Sequence, residues 1–190
     1  MPPGYPPVRL MAMDRRSALV SLGLTGSGLL SGCSIVPRAT PDDRYCFRTR
    51  TTRFRPACTL GPIPDAAADA RAKRFESVPG RLVIYVVRHR WGDYANVVQV
   101  GLAGRPTVST VPLSLVRLVA APGVHRVAFY WAKGNGELEV RGEAGQVLLV
   151  DLVGSLWIWN EWYRLETGEP SIRARAFKSR LVADVNVDGR

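Results

Sequence analysis

From Pro79 onward the apolar and polar positions follow the two-residue period of β-strands. Leu82–Val87 is apolar on both faces, which predicts a central strand covered on two sides. Asn96–Leu102 alternates, with Val98, Val100 and Leu102 on one face, and Gly104-Arg105-Pro106 marks a turn. Leu113–Ala120 is the next run, ended by Pro122-Gly123. Val127, Phe129 and Trp131 share one strand face. Lys133-Gly134-Asn135-Gly136 then signals a hairpin turn, because Asn and Gly tolerate positive φ. Beyond it Leu138 and Val140 should point inward, and Glu137, Glu139 and Arg141 outward. Gly142-Glu143-Ala144-Gly145 turns the chain into Val147–Val153. Turns at intervals of ~8–12 residues predict a mainly β fold, an antiparallel β-sandwich of about seven to eight strands.

The flanks read differently. Asp65–Phe75 predicts a short helix, with Pro64 before it, alanines inside it and Arg71, Lys73 and Arg74 in its last turns. A second helix is expected over Ser171–Lys178, and Leu181–Val187 alternates as a final strand. Between them Trp157 and Trp159 share a strand face, with Trp162, Tyr163 and Arg164 close behind. Aromatic rings beside arginine suit stacking on a glycan or seating at a lipid interface. These five residues are the candidate partner contact, and packing into the core is the competing use of the rings.

The N-terminal segment has neither period. Arg15-Arg16 is followed by the uncharged, mostly small and apolar stretch Ser17–Leu30, 14 residues long. That length matches a signal-peptide core and falls short of the ~20 residues that span a bilayer. Leu29-Leu30-Ser31-Gly32-Cys33 closes the stretch and resembles a lipobox, the signal at which bacterial lipoproteins are acylated on cysteine and cleaved just before it. The resemblance implies a signal peptide over residues 1–32. It also implies lipid attachment, with palmitate among the acyl groups, at Cys33. The mature chain would then be lipid-anchored in the bacterial cell envelope. Ser34, rather than an aspartate, follows the cysteine, which under the same resemblance implies the outer membrane, facing the periplasm. Arg15-Arg16-Ser17-Ala18-Leu19 also resembles a twin-arginine export signal, so both export routes stay open. Met11 and Met13 are alternative starts.

Residues 33–64 are expected to form a tether, since Ser34–Thr59 is rich in Pro, Arg and Thr and has no sustained period. Cys46 and Cys58 lie within it, too far apart for a redox CxxC pair and without further ligands for zinc. In an oxidising compartment they should form one disulfide. Residues 65–190 are expected to be the β-sandwich domain with its helices. Removing Arg9, Arg15, Arg16 and Asp14 from 26 basic and 16 acidic side chains leaves 23 and 15, a net charge of +8. The remaining 158 residues suit one domain at ~100–200 residues each. The arginines are spread from Arg44 to Arg190 without a recognition motif, so nucleic acid is not an expected partner. Anionic lipid head groups and envelope polymers are the more economical partners for such a charge.

Several segments of the strand region also carry a likeness. Ala72-Lys73-Arg74-Phe75, Pro79-Gly80, Tyr85-Val86-Val87-Arg88, Pro122-Gly123-Val124-His125 and Gly142-Glu143-Ala144-Gly145-Gln146 resemble a small β-sandwich domain of unknown function found in uncharacterised bacterial lipoproteins. The family often has an aromatic after the last glycine turn, where this chain has Val147 and Leu148. The likeness covers about half of the mature chain, rests on turns and strand cores, and implies a fold without implying catalytic residues.

No GxSxG, HExxH or Walker loop occurs. His89 sits in the charge run Arg88-His89-Arg90, and His125 at a turn-to-strand position. No catalytic residue, metal or cofactor is expected. The favoured function is a non-enzymatic module at the membrane surface, held by acylated Cys33 and contacting an envelope protein or glycan. The alternative is a lipid-anchored hydrolase whose site converges in space, from His125 with Asp151 or Glu143.

Overall fold

The computed structural model describes residues 43–49, 56–90, 95–154, 162–168 and 170–189. The described chain begins with two short antiparallel strands, β1 (Cys46–Phe47) and β2 (Ala57–Cys58), joined by the Cys46–Cys58 disulfide. The disulfide pairs the cysteines expected. The described residues of the expected tether, however, pack onto the domain. Tyr45, Phe47 and Ala57 are buried in the main core, and Ile63 packs against it. Strand period was invisible here because each strand is only two residues long.

Helix α1 (Ala66–Ala72) starts at Asp65, whose side chain accepts from the Ala68 N–H at 2.7 Å, a standard N-cap. It ends three residues earlier than expected, because Phe75 takes a positive φ of 53°. That turn sends the Phe75 ring down against Tyr85, at 4.9 Å and 69°. The next strand, β3 (Leu82–Arg88), is buried along its whole length. Then follow β4 (Val98–Leu102), β5 (Val108–Thr110), β6 (Ser114–Ala120), β7 (Gly123–Trp131), β8 (Gly134–Gly142), β9 (Val147–Gly154) and β10 (Tyr163–Thr167). Helix α2 (Ser171–Lys178) matches its expected span, and β11 (Arg180–Asn186) closes the fold.

The strands form a five-stranded sheet ordered β10-β9-β3-β6-β11 and a four-stranded sheet ordered β5-β4-β7-β8. The facing sides bury Leu82, Ile84 and Val86 of β3 with Val98 and Val100 of β4 and Val127 and Phe129 of β7. The other side of the five-stranded sheet buries Val83, Tyr85 and Val87 with Phe75, Ile172 and Ala176. β3 therefore divides two cores, which is why neither of its faces could be polar.

The sandwich differs from the expected one in strand direction. The four-stranded sheet is antiparallel, but the five-stranded sheet is mixed, since β3 pairs in parallel with β9 and β6 in parallel with β11. Parallel neighbours need a long crossover rather than a tight turn. Here α2 carries the chain over the five-stranded sheet from the β10 edge to the β11 edge.

The β7–β8 hairpin is also shifted from the expected turn. Trp131 pairs with Gly134 and Phe129 with Gly136, so Ala132 and Lys133 form the loop and Gly136 is a strand residue. Its role is close approach: a Cβ at Gly136 would lie 2.6 Å from Cε1 of Phe129, a ring 3% exposed and walled by the core. Gly136→Val should therefore cost about 1–3 kcal/mol through overpacking. A chemical melt checks this, with Phe129→Leu in the same chain restoring much of the loss; a loss unchanged by Phe129→Leu would point to turn strain instead.

Candidate partner-contact site

The expected contact cluster begins where β10 leaves the edge of the five-stranded sheet, with Tyr163 paired to Gly154 of β9. Successive side chains on a strand point to opposite faces. Tyr163 and Leu165 accordingly join the core, while Trp162 and Arg164 stay outside. Trp162 is 37% exposed, and the Arg164 guanidinium lies 5.0 Å from its ring centroid. Arg164 also pairs with Glu166. The two outward residues form a small cation–aromatic platform of the kind that stacks on flat or apolar groups. Trp157 and Trp159 lie outside the described residues, as do Cys33 and the segment 1–32.

Tyr163 belongs to the interior. Its ring meets Trp131 edge-on at 4.9 Å and tilts toward Phe129 at 6.1 Å. Its hydroxyl accepts from Asn96 Nδ2 at 3.0 Å and from Arg88 Nη2 at 3.3 Å. Arg88 is only 1% exposed. Its guanidinium also donates to the Thr110 carbonyl at 2.7 Å and the Asn96 carbonyl at 3.0 Å. Arg88 thus clamps the end of β3 to the approach to β4, the end of β5 and the start of β10. Sequence reasoning passed over it as part of a charge run. The signal was there: Leu82, Ile84 and Val86 point to the inter-sheet core, and period two carries residue 88 to the same side.

The next residue, His89, falls on the helix-covered side. So does Asp151, which sits opposite Val87 in the register. Asp151 is 2% exposed and ion-paired with Arg175 of α2. Burial pushes its carboxyl above the usual range, against the pull of the Arg175 guanidinium. Burial and the Arg175 charge push the His89 imidazole down, and its Nδ1 is buried without a hydrogen-bond partner among the described residues. Asp151 therefore ties α2 to the sheet beneath it.

Two residues of the hydrolase alternative, His125 and Asp151, stand on different sheets. His125 is on β7 of the four-stranded sheet, with Nε2 at 2.8 Å from the Ala121 carbonyl. Asp151 lies under α2 on the other sheet, and the register puts Val140, not Glu143, opposite His125. Among the described residues no three His, Cys, Asp or Glu side chains are grouped to hold a metal. A groove of about 590 Å³ runs between the edge strands β5 and β11, walled by Thr59–Pro64. Its lining is mixed, with Gln99, Ser109 and Asp184 among apolar residues such as Val108, Val182 and Val185.

Comparison with protein-family models, with curated proteins and with solved structures finds no match to this chain.

Proposed function

We propose that this chain is a lipid-anchored envelope lipoprotein whose β-sandwich acts as a non-enzymatic binding or structural module at the membrane surface. The observation that carries the reading is Cys33, in register behind the positive residues, the 14-residue apolar stretch and small Ser31-Gly32. The Cys46–Cys58 disulfide supports it, since such bonds persist in oxidising compartments. Acylation at Cys33 would hold the domain at the bilayer, with the outer membrane as the proposed address. The Trp162–Arg164 platform is the proposed contact for an envelope protein or glycan. The hydrolase alternative draws less support, because its His125 and Asp151 belong to different sheets.

Labelling cells with a clickable fatty acid should tag the wild-type chain and leave Cys33→Ser unlabelled. Equal labelling of both would remove the anchor and the location built on it.

A further inference from the structure

We propose that the outer face of α2, centred on Phe177, docks onto the headgroup layer of an anionic lipid bilayer. The proposal deepens the membrane-surface reading above and takes its location from it. Helix α2 buries Ile172 and Ala176 against the sheet, exposes Phe177 and Lys178, and keeps Arg173 and Arg175 half-buried at its sides, Arg175 on Asp151, with no acidic residue in the helix. Phe177 is 56% exposed, a large apolar group held at the surface by its edge contact with Phe75 at 5.3 Å. Arg173 spreads over the same Phe75 ring at 4.9 Å. Three acids among the described residues near the helices are already engaged by basic side chains. Asp151 is buried under Arg175, Asp69 is engaged by Lys73 and Arg180, and Glu76 is paired with Arg74.

An exposed aromatic beside arginine and lysine matches the boundary between anionic head groups and acyl chains. The entry of the chain lies at the same end. Arg180, two residues beyond α2, donates to the carbonyls of Pro64 and Asp65, and its charge acts on the Tyr45 phenol. Ten residues, 34–43, separate that entry from Cys33 and span at most about 36 Å when extended. A domain held so close to the bilayer needs only a weak surface contact to be oriented, because the tether supplies the effective concentration.

The test uses residues 36–190 with the disulfide formed. This piece contains every residue of both core clusters and neither the acyl site nor the apolar leader. It is sedimented with vesicles of phosphatidylcholine alone or mixed with phosphatidylglycerol. Binding is expected only to the mixed vesicles. Arg173→Gln with Lys178→Gln should weaken it by about fivefold per charge removed. Phe177→Ser should weaken it further at unchanged charge. Arg126→Gln with Arg141→Gln, on the outer side of the four-stranded sheet, removes the same charge and should leave binding unchanged. Equal losses from the two double variants would overturn the proposal in favour of generic cationic adhesion. So would binding to phosphatidylcholine alone, or indifference to Phe177→Ser in a chain whose melt is unchanged. If Phe177→Ser loosens the helix, the two glutamine pairs still decide the outcome. Acylation plays no part in this assay, so failure of the Cys33 labelling leaves its result standing.

Discussion

Arg88→Met is expected to lower the free energy of unfolding by about 3–5 kcal/mol. Methionine keeps the apolar length of the side chain and removes every donor. The carbonyls of Thr110 and Asn96 and the Tyr163 hydroxyl each lose a hydrogen bond from the guanidinium. An orphaned buried acceptor costs roughly 1–3 kcal/mol, and the Asn96 side, only partly buried, recovers some of that from water. Arg88→Lys should fail nearly as badly, since one ammonium cannot reproduce a planar fork aimed at several acceptors. Urea denaturation checks both, with the midpoint lowered and the slope unchanged. A shift of under about 1 kcal/mol would mean that the clamp contributes little. The consequence reaches the surface as well. Arg88 holds Tyr163, and Tyr163 is flanked by Trp162 and Arg164, so Arg88→Met should also blunt any partner contact made through that platform.

The second large effect is expected at the disulfide. Replacing both Cys46 and Cys58 by Ser frees a twelve-residue separation, for which loop entropy alone predicts a loss of about 3 kcal/mol. For a domain of this size that corresponds to a fall in Tm of roughly 6–12 °C. The loss should also be local. β1 and β2 share only two residue pairs, too few to hold a ribbon without support. With the bond gone, Tyr45, Phe47 and Ala57 would leave the core more readily than any other part of it. Limited proteolysis should therefore cut first between residues 43 and 64, while the two main sheets stay protected. An unchanged melting temperature with unchanged protection would show that the bond is not what holds this segment.

Where the chain repeats a period, its pattern alone was enough. β3 had to be central because it is apolar on both faces, and β8 had to be half-exposed because Glu137, Glu139 and Arg141 alternate with Leu138 and Val140. The span of α2 and the pairing of Cys46 with Cys58 were equally legible. The first follows from apolar residues at helical spacing, and the second from having no other cysteine partner than Cys33. The anchor reading at Cys33 belongs to the sequence alone. Other features depended on neighbours distant in the chain. Asn135-Gly136 has turn chemistry, yet the loop fell three residues earlier, because register is set where whole faces bury and Phe129 needs the space above Gly136. The aromatic run near β10 looked like one cluster, and strand alternation divided it, sending Tyr163 inward and Trp162 outward. Arg88 looked like surface charge, and only the assembled sheets supply the carbonyls that let a guanidinium be buried. Strand direction was likewise beyond local pattern, because alternation is the same whichever way a strand runs. The parallel pairings arose from crossovers, and the one made by α2 also leaves Phe177 exposed on a basic face.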